Sequence, residues 1–170
     1  MLWDNNRRHG GCSAPHGIDI AWFGDPIFLG GDYSAAMRNQ LGSRLPEFTP
    51  SEREYLRQST SIDAFYRVNH CSTKYTRGLA GPSADDDWTQ NIEEYPINSQ
   101  SRETGPPLGL DWLRVALEGL RKLLDWVSNR YHLPIMITEN GCLCPSETDL
   151  DTAVHDTFRQ SYFGLCLDAT

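Results

Sequence analysis

One carboxylate stands where the local sequence could support chemistry. Glu139 follows the short apolar run 135–138, which is typical of a buried strand, and precedes Asn140 and Gly141. In α/β barrels the carboxyl ends of the strands carry the active site, and a glycine lets the chain turn sharply there. A carboxylate in this position can act as a nucleophile or as a general acid or base. The alternative is a structural carboxylate that caps the next helix or forms an ion pair at the barrel rim.

Other polar residues are weaker candidates for chemistry. His70 has no second residue at metal-ligand spacing, so we expect it to be a wall of the site or a structural residue. Cys142 and Cys144 form a C-x-C pair without a further ligand motif, which favours free thiols in a reducing compartment over a metal site. The segment 78–110 is expected to be mostly irregular, to lie on the active-site face and to form a solvated acidic loop containing Asp85, Asp86, Asp87, Glu93 and Glu94.

Apolar periodicity predicts the elements that position Glu139. Leucines and other apolar residues recur at helical spacing over 112–131, with Asp111 as the expected N-cap. The run 135–138 then predicts a strand that is buried on both faces, as in a parallel sheet. An earlier strand is expected to end near Asn69, and a last helix is expected over 154–167. Because a helix followed by a buried strand is half of a βαβ unit, the sequence predicts an α/β fold.

The N-terminal third carries weaker patterns. Residues 1–17 are polar and rich in Gly and Arg, so we expect an irregular segment there. The aromatic pair 22–23 should be buried. A short helix is expected over 34–41, and Thr49 or Ser51 should cap the helix that follows.

Composition excludes several classes of protein. The chain has 170 residues, a formal net charge of −8 and a pI of about 5.0, which argues against nucleic-acid binding. No apolar run approaches the ~20 residues that span a bilayer, so we expect no membrane partner. The first residues lack the apolar core of a signal peptide, and together with the free thiols this predicts a cytoplasmic location.

The motif around Glu139 resembles the signature of a known enzyme family. The sequence I-M-I-T-E-N-G at 135–141 is similar to the I-T-E-N-G motif of family 1 glycoside hydrolases. Further segments resemble the same family in order and spacing over about residues 18–168: W-F-G-D-P-I-F at 22–28, G-D-Y at 31–33 with Met37, L-P-E-F-T at 45–49, the strand ending in N-H at 69–70, the helix at 112–126, and D-T-F-R at 156–159 with Tyr162.

The resemblance implies both a fold and an activity. It implies that residues 18–170 form part of a (β/α)₈ TIM barrel. The implied reaction is the hydrolysis of β-glucosidic bonds with retention of configuration, without a metal or an organic cofactor. Glu139 is implied to be the nucleophile, and Asn69, His70 and Asn140 are implied to bind the sugar. The expected partner is therefore a β-glucoside or a related small sugar.

The sequence departs from the family at positions that matter for catalysis. The acid/base glutamate of the family lies in a T-x-N-E-P motif, and N-E-P does not occur in this sequence. Cys71 stands where the family usually has a tyrosine that hydrogen-bonds the nucleophile, and a thiol is a weaker and shorter donor. Ala64, Arg67 and Ser34 also differ from the family pattern. We therefore expect this chain alone to be inactive, and the alternative function is that of a non-catalytic remnant or a sugar-binding fragment.

Overall fold

The computed structural model describes residues 2–3, 20–60, 63–79, 92–144 and 149–170. The chain divides into two compact units. The strand–helix unit contains the described residues of 1–4, 65–75 and 95–170, and the helical unit contains the described residues of 20–64 and 76–94. The helices and strands, in chain order, are β1 (Leu2–Trp3), α1 (Ala21–Asp25), a π-helix (Pro26–Gly30), α2 (Ala35–Leu41), a 3₁₀ turn (Gly42–Arg44), α3 (Pro50–Gln58), β2 (Tyr66–Asn69), β3 (Tyr75–Gly78), β4 (Ile92–Tyr95), α4 (Leu117–Tyr131), β5 (Ile135–Glu139), α5 (Leu150–Val154) and α6 (Thr157–Asp168).

The strand–helix unit is built on the parallel pair β2 and β5. Tyr66 lies opposite Ile135, and the register continues to Val68 opposite Ile137. Helix α4 lies between the two strands in the sequence, so the connection is the crossover that parallel strands require. The α/β prediction is confirmed for this unit.

A small apolar core holds helices α4 and α6 against β5. Its buried members come from α4, from α6 and from the segment before α4: Leu108, Leu113, Leu120, Tyr162 and Cys166. Ile137 of β5 packs against this cluster, as do Cys71 and Cys142. The core therefore fixes the strand that ends at Glu139 against helices α4 and α6.

Helix α4 begins later than the sequence predicts. The expected N-cap was Asp111, but the helix starts at Leu117 after Ala116. The backbone N–H groups of Leu113 and Val115 instead donate to the carbonyls of Leu110 and Pro106. Because those N–H groups already donate hydrogen bonds in turns and an isolated bridge, residues 111–116 do not join the helix. The prediction that Asp111 is the N-cap was therefore wrong.

The last helix predicted over 154–167 is confirmed as α6, but it begins three residues later than expected, at Thr157. A separate short helix, α5, ends at Val154. Asp156 is the N-cap of α6, and its side chain accepts a hydrogen bond from the Arg159 N–H at 2.9 Å. An aspartate that caps a new helix competes with continuing the old one, which is the physical reason for the break.

Strand β5 is not buried on both faces. Its burial alternates at first, and Met136 is 50% exposed. Within the described part of the chain β5 belongs to a two-stranded sheet with β2, so it has one strand neighbour there. The predicted continuous burial needs neighbours on both sides of the strand, and for that reason this prediction was wrong.

The helical unit has its own core and caps. The predicted short helix over 34–41 is confirmed as α2, with Ser34 as its cap through a hydrogen bond from the Met37 N–H, and Met37 and Leu41 are buried. Thr49 caps α3 in a capping box with Glu52, which confirms one of the two predicted caps. Such caps depend on neighbouring residues alone, which is why the sequence reveals them.

One prediction for the helical unit, the burial of the aromatic pair 22–23, was wrong. The two residues are not buried as a pair, because Phe23 is 74% exposed while Trp22 is half-buried.

Asp32 of the helical unit lies between two arginines. It accepts a hydrogen bond from Arg38 and lies 2.9 Å from Arg53 in an ion pair. Burial raises the pKa of Asp32, but the hydrogen bonds from Arg53 and Arg38 outweigh it and lower that pKa to about 2.

The long polar segments are only partly described. Residues 80–91 lie outside the described residues, and the acidic residues 85–87 fall among them. The described part of the predicted irregular segment 78–110 contains β4 and two isolated bridges, and the rest of it is irregular. Of the predicted irregular segment 1–17, residues 2–3 are described, and they form the short strand β1. Among the described residues, no helix is both long and apolar enough to cross a bilayer.

Replacing Gly119 by alanine should destabilise the strand–helix unit by about 1–3 kcal/mol, the usual cost of overpacking a core. A Cβ atom at Gly119 would lie 2.0 Å from the Thr73 hydroxyl oxygen, which must then move. Urea unfolding measures the change. The matched control is Gly164→Ala in α6, where a Cβ meets nothing within 4 Å and should be neutral or slightly stabilising. Equal stabilities of the two variants would contradict the contact between α4 and Thr73.

Candidate functional site

Glu139 is the last residue of β5, and its side chain is exposed. Its backbone carbonyl accepts a hydrogen bond from the His70 N–H at 2.9 Å, so the ends of β2 and β5 are tied together. The carboxylate therefore projects from a fixed backbone while remaining open to solvent. An exposed carboxylate on a strand end can attack an electrophilic carbon or exchange a proton.

Asn69 lies opposite Glu139 at the end of the parallel neighbour β2. The register shifts by one residue between Val68 and Asn69, so that Thr138 is the extra residue on β5. The Thr138 hydroxyl lies 2.6 Å from Asn69 Oδ1 and 3.4 Å from the Val68 carbonyl oxygen. Since both strands run in the same direction, Asn69 and Glu139 occupy the same carboxyl edge of the pair.

His70 and Asn140 directly follow the ends of β2 and β5, and a hydrogen bond joins the two segments that leave the strands. The Asn140 Nδ2 group donates to the His70 carbonyl oxygen at 2.9 Å. The imidazole of His70 is 8% exposed, and its Nε2 lies 2.9 Å from the Thr73 hydroxyl. Burial lowers the pKa of His70 to about 4, so the ring is neutral at pH 7. The predicted contact of both residues with a sugar stays a prediction.

Acidification should destabilise the fold through His70. The pKa of His70 is 6.5 in the unfolded state and about 4 in the folded state. The contribution of neutral His70 to the free energy of unfolding is therefore fully present above pH 6.5 and is lost as the pH decreases towards 4. The difference of about 2.5 pKa units corresponds to about 3 kcal/mol. Urea unfolding at several pH values measures it. His70→Gln should flatten the slope. If the free energy of unfolding changed equally with pH in the wild type and in His70→Gln, the lowered pKa of His70 would be contradicted.

The segment after Glu139 is held by helix α6. The Arg159 guanidinium donates from Nε to the Cys142 carbonyl oxygen at 3.3 Å and forms an ion pair with Asp156. Burial raises the pKa of the Cys142 thiol, which keeps it protonated and unreactive at neutral pH. Within the described part of the chain, no cluster of three His, Cys, Asp or Glu residues could hold a metal ion.

Comparison with known proteins gives this geometry its context. The family model described as glycosyl hydrolase family 1 matches residues 13–169. The chain belongs to glycosyl hydrolase family 1. Among curated relatives, β-glucosidase 1B of Phanerodontia chrysosporium is 36% identical over 89% of this chain and 27% of its own length. β-Glucosidase 42 of Arabidopsis thaliana is 36% identical over 86% of this chain and 30% of its own length.

Solved structures of family 1 enzymes share the fold. A β-glucosidase from the fungus Humicola insolens, in complex with glucose, matches with a TM-score of 0.82 and 38% identity over 93% of this chain and 33% of that one. β-Glucosidase 2 from Trichoderma reesei matches with a TM-score of 0.77 and 41% identity over 88% of this chain and 32% of that one. The prediction of a partial TIM barrel is therefore confirmed, and the chain spans 27% to 33% of the length of these relatives.

Three further residues make hydrogen bonds that hold the segments at and after the ends of β2 and β5, and the sequence did not reveal these roles. Thr138 has the pattern of an ordinary strand residue, although it lies within the I-T-E-N-G motif and its hydroxyl reaches Asn69. Thr73 belongs to no motif, and its contact with His70 arises only in the folded chain. Arg159 belongs to the D-T-F-R segment, but spacing carries no signal of its bond to the Cys142 carbonyl.

Proposed function

We propose that this chain provides the nucleophile side of a retaining β-glucosidase, with Glu139 as the nucleophile. The observation that carries the proposal is the position of Glu139. Its exposed carboxylate stands at the carboxyl end of a parallel strand, opposite Asn69 and within the I-T-E-N-G motif. Active sites of α/β barrels lie at this end of the strands. The β-glucosidase names of the curated relatives support the substrate class.

In the proposed reaction the carboxylate of Glu139 attacks the anomeric carbon of a β-glucoside. The bond from that carbon to the aglycone oxygen breaks, a glycosyl-enzyme ester forms, and an acid protonates the departing oxygen. Water activated by the same group, now a base, then displaces the ester and releases Glu139 as carboxylate. Two inversions at the anomeric carbon give net retention of configuration.

The roles of the neighbouring residues follow from their bonds. Asn69 is exposed beside Glu139 and is proposed to bind a sugar hydroxyl. The family resemblance supports His70 and Asn140 as sugar-binding residues. Their hydrogen bonds support a second proposed role, which is to hold the ends of the two strands in place. The acid/base of the proposed reaction comes from residues outside this sequence, because N-E-P does not occur in it.

The test uses a chimera, in which residues 18–168 replace the matching segment of the Humicola insolens β-glucosidase. That enzyme supplies the remainder of a barrel, and its structural match to this chain has a TM-score of 0.82. The chimera should hydrolyse an aryl β-glucoside, and Glu139→Ala should abolish this. The matched control is Glu54→Ala, which removes an exposed glutamate of α3 whose ion pair with Arg57 contributes little. Hydrolysis that survives Glu139→Ala would refute the proposal.

A second candidate function is non-catalytic sugar binding. The observation that favours it is Cys71, which stands where the family usually has a tyrosine beside the nucleophile and which packs against the apolar cluster around Leu120. A folded chimera that binds glucose but hydrolyses no glucoside would support this alternative. Cys71→Tyr in the same chimera should then restore hydrolysis if the missing phenol is the reason for inactivity.

A further inference from the structure

The end of β5 contains a bulge whose extra residue is Thr138. Val68 lies opposite Ile137, but the next residue of β2, Asn69, lies opposite Glu139. In a regular pair Asn69 would face Thr138, and Glu139 would fall one position further along. The extra residue thus brings two consecutive side chains of β5 to the end of β2. Bulges are known for re-aiming side chains next to active sites.

The hydroxyl of Thr138 fixes one orientation of the Asn69 carboxamide. It has a single hydrogen and two acceptors nearby, Asn69 Oδ1 at 2.6 Å and the Val68 carbonyl oxygen at 3.4 Å. The closer acceptor lies at the usual length of an O–H···O bond and the farther one lies beyond it, so the hydrogen points to Oδ1. Because Oδ1 accepts this bond, the amino group Nδ2 is the opposite arm of the carboxamide.

The Nδ2 group of Asn69 is thereby left for a ligand. Within the described part of the chain, the hydrogen bond from Thr138 is the one that the Asn69 side chain makes. Asn69 is exposed at the strand end beside Glu139. An amide donor held in one orientation at the strand end opposite Glu139 can donate to a hydroxyl oxygen of the sugar without first losing rotational freedom.

We propose that Thr138 is a positioning residue, which presents the Asn69 amino group to a sugar hydroxyl beside Glu139. The role rests on the proposed function, because the sugar is the ligand of that reaction. Thr138 itself touches neither the substrate nor the reacting atoms, and it acts through Asn69. The hydroxyl is the part that matters, so serine should replace threonine and valine should not.

The first test observes the Asn69 side chain directly in the full chain, without any catalysis. Its amino group gives a pair of ¹H–¹⁵N signals, assigned by their disappearance in Asn69→Asp. Thr138→Val keeps the branched shape but removes the hydroxyl, and it should shift this pair, while Thr138→Ser should leave the pair near its original position. An unchanged pair in Thr138→Val would overturn the proposal, whatever the role of Glu139.

The second test is a double-mutant cycle in the chimera. Thr138→Val should lower kcat/KM about fivefold to tenfold, which is the effect of one hydrogen bond between uncharged groups. Thr138→Ser keeps the hydroxyl and should retain most of the kcat/KM of the unsubstituted chimera. In the Asn69→Ala background, Thr138→Val should have no further effect, since its partner is gone. A full effect of Thr138→Val in that background would overturn the positioning role. Failure of the proposed function would show separately, as hydrolysis that survives Glu139→Ala.

Discussion

Removing the carboxylate of Glu139 should lower aryl β-glucoside hydrolysis by the chimera by at least about 10³-fold, the scale on which enzymes lose rate with their nucleophile. The reason is that no glycosyl-enzyme can form without an attacking oxygen at the strand end. The rate is measured with Glu139→Ala, by release of the aryl alcohol. Glu54→Ala, the exposed control in α3, should retain the rate of the unsubstituted chimera.

The same variant distinguishes a nucleophile from an acid/base by stereochemistry. Alanine leaves space where the carboxylate stood, so added azide should attack the anomeric carbon from that side. One displacement inverts the configuration, and the product should therefore be the α-glucosyl azide. A β-glucosyl azide would mean that Glu139 acts in the second step as the acid/base. Glu139 would then not be the nucleophile, although its place at the end of β5 would stand.

The chain made alone should show no measurable turnover of a β-glucoside. Loss of general acid catalysis forfeits about 10²–10⁴-fold in rate, and the same group is needed to activate water. N-E-P does not occur in the sequence, and Met136 of β5 is 50% exposed, so the nucleophile strand lacks part of its covering. An imprecisely held nucleophile loses a further factor.

The fairest assay for the isolated chain is an activated aryl β-glucoside, whose leaving group needs little protonation. The chimera, which contains an acid/base and the rest of a barrel, is the positive control under identical conditions. Turnover by the isolated chain that disappears in Glu139→Gln would contradict the prediction. It would mean that the chain assembles a competent site, or that another carboxylate of the chain replaces the missing acid.

Local features of the fold could be predicted because they depend on neighbouring residues. The short helix expected over 34–41, the cap at Thr49 with Glu52, and the strand that ends at Asn69 are all confirmed. Each follows from side chains within three or four positions of the backbone groups that they satisfy, or from a short apolar run. The motif containing Glu139 was recognisable for the same reason.

Other features were decided by groups far away in the sequence. Asp111 does not cap α4, because the backbone donors after it bond to residues 106–110. Met136 is exposed because β5 has one strand neighbour in the described part of the chain. Periodicity records which positions are apolar, but it does not record what covers them, so burial on a second face could not be inferred.

The candidate site shows the same division. Residue types and the motif are sufficient to single out Glu139 and Asn69, and the order of strand, helix and strand indicates a parallel pair. Only the tertiary structure decided that Asn69 faces Glu139, because that register depends on pairing between strands about 70 positions apart and on a one-residue bulge at Thr138. A bulge changes which side chains meet without changing the apolar pattern, so the sequence contains no direct signal of it.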